Sequence, residues 1–480
     1  MDVSALTSKM YSRGSLLVLV LVFGSIFFVI ISSFIGSVIT QSRVVEQRYQ
    51  LERASDIAEA GLNYYRWFLA HNPNDVTNGT GNPGPYVQQY FDPEGGAIGE
   101  YSLSIASSTY CGDVALIEVS STGTTYEDPD VRRTITARYA RPTVAEYAFI
   151  INSSVWAGPS LSIIGPYHSN QGIRMDGTNQ STVTSGISSW NCTATFGCSP
   201  AGTRNGVFTT TGNANPLLFS FPSAPINFAN LSIDLSNMQN RAQNAGGIYI
   251  PPSGTFGYRA TFNSNGTVTV RRVTGTYQYT AESIEEGVHQ ERNIISNSAA
   301  YGVYTINPAC PLIYIADKVW LEGTVNQKVT IAAAGTDITG ADPSIILQGD
   351  ITYVDPNEDG LLAIAENNVL LGVDVPNTMI LNGIFMAQKG RFGRNHYVSA
   401  NLPNPSGPPD FRPFWERLSL TMNGTVVSNG RVGTQWTNNG NFISGFRNRY
   451  NSYDRNLAES PPPLAPNTSD VYEFVEWREE

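Results

Sequence analysis

An apolar run from Leu16 to Ile39 carries no charged residue and flows without a break into a charged helical pattern reaching about Leu69. No other feature constrains the fold as strongly. Ser15 to Thr40 contains only Gly, Ser and Thr among its non-apolar residues. At about 1.5 Å per residue such a run spans close to the ~30 Å hydrocarbon core of a bilayer. It is longer than the h-region of a secretory signal, and no convincing small-x-small cleavage site follows it. A plain single-span anchor explains the hydrophobicity equally well.

The next segment distinguishes the readings. Residues 43–69 contain no Pro and one Gly, and place Val45, Tyr49, Ile57, Gly61, Tyr64 and Phe68 at roughly helical spacing. The opposite face carries Arg43, Glu46, Arg48, Glu52, Arg53, Asp56, Glu59 and Arg66, with Glu52 and Asp56 as like charges four apart. The stripe reads as core packing rather than a cofactor site. Together the two segments predict one helix of roughly 55 residues, on the order of 80 Å long. His71-Asn-Pro-Asn-Asp ends it. Basic residues flank the span on both sides, Lys9 and Arg13 before it and Arg43, Arg48 and Arg53 after it, so charge does not set its orientation.

The leader Arg13-Gly14-Ser15, the run that follows it, and Ala58-Glu59-Ala60-Gly61-Leu62 resemble the N-terminal region of PilX-type minor pilins of type IV pili. They are also similar to the tip pseudopilins of type II secretion. The resemblance implies cleavage after Gly14 by a prepilin peptidase, methylation of Ser15, and an assembly helix that includes Leu19, Glu59 and Gly61. It implies partners as well: other pilins or pseudopilins, and an inner-membrane assembly platform. In major pilins the fifth residue after cleavage is Glu; here it is Leu19. A subunit without that buried carboxylate cannot offer its usual partner to a neighbour's N-terminus, which suits a terminal, priming or low-copy position.

Composition places the rest of the chain outside the cell. Only 14% of residues are charged, the net charge is −11, and lysine occurs at positions 9, 318, 328 and 389 alone. Abundant Gly, Asn, Ser and Thr with 24 Tyr is the profile of a β-rich extracytoplasmic protein. The acidic balance argues against nucleic acid as a ligand, since Arg447 and Arg449 are too few to form a basic strip. Cys192 and Cys198 are spaced to close a small disulfide loop in an oxidising compartment. Whether Cys111 and Cys310 pair or remain thiols stays open. With four His, a Cys/His metal site is not expected.

The predicted fold class is α+β, mainly β. The leader is 1–14 and the long helix 15–71, with 15–40 transmembrane. A linker at 72–95 leads to a small antiparallel sheet, with strands at Tyr101–Ala106, Val114–Ser121 and Val131–Arg138, within 72–145. From Glu146 to about 460, short runs with Gly and Asn corners recur: Leu347-Gln-Gly, Leu381-Asn-Gly and Met422-Asn-Gly are examples. They suggest a parallel β-solenoid-like domain with an insertion at about 186–310; a β-sandwich is the alternative. Residues 461–480 read as a tail.

Asp355, Asn357, Asp359, Gly360 and Glu366 satisfy a calcium-loop pattern at positions 1, 3, 5, 6 and 12, implying a structural calcium. Strands rather than helices flank it, so an acidic hairpin loop explains the same residues. No Ser/His/Asp set or phosphate loop appears, and the chain does not read as an enzyme. The sequence thus reads as a membrane-inserted minor or tip pilin-like subunit with an extracellular head for initiation, capping or adhesion to a surface or polysaccharide. The alternatives are an anchored adhesin outside any filament and an anchored polysaccharide-active β-helix enzyme.

Overall fold

The computed structural model describes residues 13–73, 75–93, 96–335, 342–397, 410–438, 440–469 and 471–479. The leader up to residue 12 and most of the Pro-rich segment 401–413 lie outside these. Two compact units divide the chain: Met1–Ile105 with Val119–Ala137 and Trp477–Glu480, and Ala106–Glu118 with Arg138–Glu476. The fold is α+β and mostly β, as the sequence predicts.

In the first unit a single helix runs from Arg13 to His71, 59 residues or about 90 Å. Pro73 cannot continue it, and Asn72 closes its last turn by donating its backbone N–H to the Phe68 carbonyl at 2.8 Å. Its buried face is rotated from the predicted stripe. Val45 and Tyr49 are exposed, whereas Gln50, Ala54, Ile57, Ala58, Gly61, Leu62, Tyr65, Phe68 and Leu69 are buried. The reason is close backbone approach. A Cβ on Gly123 would lie 2.1 Å from the Ala54 carbonyl oxygen, and one on Gly61 would lie 2.4 Å from the Ser121 hydroxyl. Small residues at 54, 58 and 61 let a strand press against the helix axis.

That strand belongs to a five-stranded sheet in the order Tyr86–Asp92, Gly96–Tyr110, Asp113–Thr125, Arg132–Ala140, Glu473–Glu479. One expectation is corrected here and one made specific. The supposed linker 72–95 contributes the strand Tyr86–Asp92, paired antiparallel to Gly96–Tyr110. The tail likewise supplies an edge strand, Glu473–Glu479.

The second unit is built on parallel ladders. One column passes in register through Ile248, Ile313, Ile331, Ala363, Phe385, Val426, Phe149, Tyr167, Val183 and Phe219. These side chains line the main apolar core. Alternate residues such as Ile150, Leu312, Tyr314, Leu362, Ile364 and Met386 face the other way, into a second cluster covered by the helix Leu235–Asn244. Strands buried on both faces must be apolar at every position, which is why Gly360–Ala365 reads as an unbroken hydrophobic run.

The ladder is not stacked in chain order: the strand Glu416–Ser428 pairs with Phe149–Ile151, and Asn441–Ser452 with Leu161–Ile164. The expected insertion at 186–310 is also corrected. Val207–Phe208, Phe219–Ser220, Ile248–Ile250 and Tyr258–Asn263 within it all pair in parallel with the other rungs. Outside the ladders stand the antiparallel pair Ser189–Cys192 with Gly202–Asn205, the Leu235–Asn244 helix and a long antiparallel hairpin, Thr267–Ser283 with Gly287–Thr305.

Candidate functional site

Helix first. Gly14 and Ser15 stand in its first turn. Leu19 is 58% exposed, and every large apolar side chain from Leu16 to Ile39 is exposed with it. The helix is long and apolar enough to cross a membrane. Ser25 and Thr40 turn their hydroxyls back to the carbonyls of Val22 and Gly36, each at 2.8 Å, so neither demands a partner in an apolar medium. The exposed character ends at Gln50. Its amide donates to Glu127 at 2.8 Å and accepts from the Thr125 hydroxyl at 2.8 Å, and Arg53 pairs with the same Glu127 at 3.0 Å. Glu59 remains exposed. Gly61 does not: it is buried against Ser121 and Tyr101 of its own sheet.

The calcium pattern is not assembled. The strand Gly360–Ala365 stretches between Asp359 and Glu366, about 20 Å at 3.3 Å per residue. Positions 5 and 12 of the loop therefore sit at opposite ends of a strand. Asp359 accepts from the Asp355 backbone at 2.7 Å and Asp355 from that of Asn357 at 2.9 Å, as in an ordinary turn. Glu366 accepts from Gly335 N–H at 2.9 Å and pairs with Lys389 at 2.7 Å.

Both cysteine pairs are disulfides. Cys192–Cys198 closes the small loop, and Cys111–Cys310 joins residues 199 apart. No spacing rule could have revealed the second.

A polar groove of about 700 Å³ gathers Glu285, Glu286, Glu291 and Asp342, the kind of carboxylate cluster a polysaccharide-cleaving site would need. Each acid is engaged. Glu285 pairs with Arg391 at 3.0 Å, Glu286 with His289 at 3.4 Å and Asp342 with Lys318 at 2.6 Å. Glu291 accepts from Tyr279 and Asn395, each at 2.6 Å. Burial pushes the Asp342 pKa up, but Lys318 and the Ser344 hydroxyl outweigh it and hold the carboxyl below its usual range. That is the wrong direction for a general acid. Asp355 likewise serves a turn, and Asp350, within the strand Ile345–Tyr353, accepts from Ile380 N–H of the strand Thr378–Ala387 at 2.8 Å.

A second groove, of about 900 Å³, lies between the Cys192–Cys198 loop and the strand Asn441–Ser452. Four arginines line it, with a single acid, Asp176. Asp176 is fully occupied. One oxygen takes Arg174 Nε at 2.6 Å and Trp156 Nε1 at 2.9 Å; the other takes Thr210 N–H at 2.8 Å. Arg447 pairs with Glu416, outside the groove. Among the described residues, Arg431 and Arg449 form no ion pair. Sequence reasoning passed over Arg431 and set Arg449 aside with Arg447 as too few for a basic strip, because the segments that build the groove around them are distant along the chain.

No protein-family model matches the chain, and no curated protein matches its sequence. Among solved structures it is similar to the competence-associated pilin ComZ from Thermus thermophilus, at 14% identity. The alignment covers 90% of this chain and 97% of that one, with a TM-score of 0.27.

Proposed function

We propose that this chain is a minor, tip-type subunit of a type IV pilus-like filament or secretion pseudopilus. The observation that carries the reading is the two-part helix. Its first half exposes an unbroken apolar surface, and from Gln50 the same helix becomes the core of a small sheet. An apolar helix surface of this length needs lipid or other helices around it. In this reading residues 15–40 first span the membrane with the head outside. A prepilin peptidase cuts after Gly14, Ser15 becomes the methylated N-terminus, and an assembly platform transfers the helix from lipid into a bundle of like helices. Leu19, in place of a buried carboxylate, leaves the following subunit without its partner and suits a terminal position. We read the parallel ladders as a β-solenoid, displayed at the cell or filament surface for capping or adhesion.

The N-terminus of the native protein, determined by mass spectrometry, tests this. A mature chain beginning at methylated Ser15 is expected. An intact Met1, or a cut beyond residue 35, would overturn the pilin reading and leave an anchored surface protein outside any filament.

A further inference from the structure

The groove beside the Cys192–Cys198 loop holds an electrostatic imbalance that the fold does not resolve. Arg449 is 6% exposed. Its Nη2 donates to Ser160 Oγ at 2.8 Å and Gln435 Oε1 at 3.2 Å, both neutral acceptors, and its Nε is buried without any partner. Arg431 donates to the Thr195 carbonyl at 2.8 Å and lies over the Phe196 ring at 4.2 Å, and its Nη1 is also buried and unpartnered. Burial lowers both guanidinium pKa values to about 10, which leaves them charged at neutral pH. Desolvating a cation without a counter-ion costs several kcal/mol. Arg449 is such a cation, and the half-buried Arg431 is offset only in part by the negative charge of Glu285; in a protein of net charge −11 the pair calls for an anion from outside.

We propose that this groove binds a carboxylated sugar unit of an acidic polysaccharide, with Arg431 and Arg449 facing the carboxylate. Planar guanidinium groups match carboxylates in two-pronged hydrogen bonds. The walls add Ser160, Ser199, Thr211, Gln435 and Thr437, the hydroxyl and amide groups that recognise sugar hydroxyls. The groove is roomy enough for more than one ring rather than a lone ion. A nucleic acid fits less well. It needs a run of phosphate contacts, and the overall charge is negative. Its bases also need free aromatic faces, whereas Trp156 and Phe442 each have an arginine over the ring, at 4.5 and 4.3 Å.

The inference deepens the adhesive role proposed for the head, but its test is independent of where the chain is cleaved. Binding of the full-length protein in detergent micelles would be measured by calorimetry with polygalacturonate, against dextran, polyglutamate and a single-stranded oligonucleotide. Saturable binding of polygalacturonate, with none of dextran, is expected. Arg431→Gln should weaken it at least tenfold. Gln435→Glu is the sharper variant: it places a carboxylate beside Arg449, supplies the missing counter-ion, and should abolish binding without lowering Tm. Absence of polygalacturonate binding, binding unchanged by Gln435→Glu, or preference for the oligonucleotide or polyglutamate would each overturn the proposal. If this fails while the N-terminus proves to be Ser15, the pilin reading stands and the adhesive ligand is of another class.

Discussion

Cys111, in the turn between two long strands, is disulfide-bonded to Cys310, just before the strand Leu312–Ile315. The bond is embedded rather than peripheral. Cys111 donates its N–H to the Ala309 carbonyl at 3.0 Å and accepts from Arg241 at 2.9 Å. Leu235, Met238 and Ala242 of the covering helix share its apolar cluster. Cross-linking residues 199 apart removes much conformational freedom from the unfolded chain. Replacing both cysteines by Ser should cost ~2–5 kcal/mol, whereas the Cys192/Cys198 pair, closing a short loop, should cost about 2 kcal/mol. Urea unfolding of the two double variants compares them directly; equal losses would contradict the loop argument.

Gly123 presses against the long helix where a side chain has no room. The atoms its Cβ would meet are the backbone oxygen of Ala54 and the backbone nitrogen of Ala58, at 2.1 and 2.6 Å. Neither can swing aside as a side chain could. Gly123→Val should therefore destabilise by about 3 kcal/mol, read as a lowered Tm of the full chain in micelles. Retention of wild-type Tm would mean that the helix and the strand are not held this closely.

The Gly corners carry a similar prediction in the ladders. Gly383 and Gly424 are in register on adjacent rungs, both at positive φ (137° and 139°), and a Cβ on Gly424 would lie 2.0 Å from the Gly383 carbonyl oxygen. Backbone conformation and space both exclude a side chain there. Gly424→Ala should destabilise, and by more than the ~0.4–1 kcal/mol that the same change contributes in favour of stability at an unstrained position. Gly212, which has open space around it and no positive φ, is the matched control, and its replacement by Ala should leave the urea midpoint nearly unchanged.

His168 makes the ladder acid-sensitive. It is buried, with Nδ1 2.8 Å from the Thr184 hydroxyl and Nε2 2.9 Å from Asn170 Oδ1. Burial pushes its pKa below the ordinary 6.5, although the Asn170 bond partly opposes this. For a group depressed in the folded state, the stabilisation is present above the unfolded pKa and is lost as pH falls through the folded value. Tm should therefore decline on acidification from neutral pH through 6.5 and below. His396, also lowered by burial, contributes in the same direction. His168→Gln keeps a polar partner and should flatten part of that slope; an unchanged Tm profile against pH would remove His168 as its source.

Local features were legible in the residues alone. The uncharged span, the length of the helix, its end at Pro73, the corner motifs at Gly383 and Gly424 and the short Cys192–Cys198 loop all follow from neighbours within a few residues. So does the β-rich character of the rest. Tertiary structure decided what depends on which surfaces meet. A periodic stripe marks a helix face, but only the close approach of Gly123 selects the Ala54–Ala58–Gly61 side over that of Val45 and Tyr49. The calcium pattern counts positions along the chain, and an extended strand carries Glu366 away from the loop that the count assumed. Ladder order was illegible for the same reason: Asn152 meets Asn429, 277 positions away, and no local propensity encodes that pairing. The uncompensated groove is a product of the same stacking. Arg431, Arg449 and Ser160 are individually ordinary, and gather into one groove only because parallel rungs bring distant segments side by side and bury the Arg449 charge.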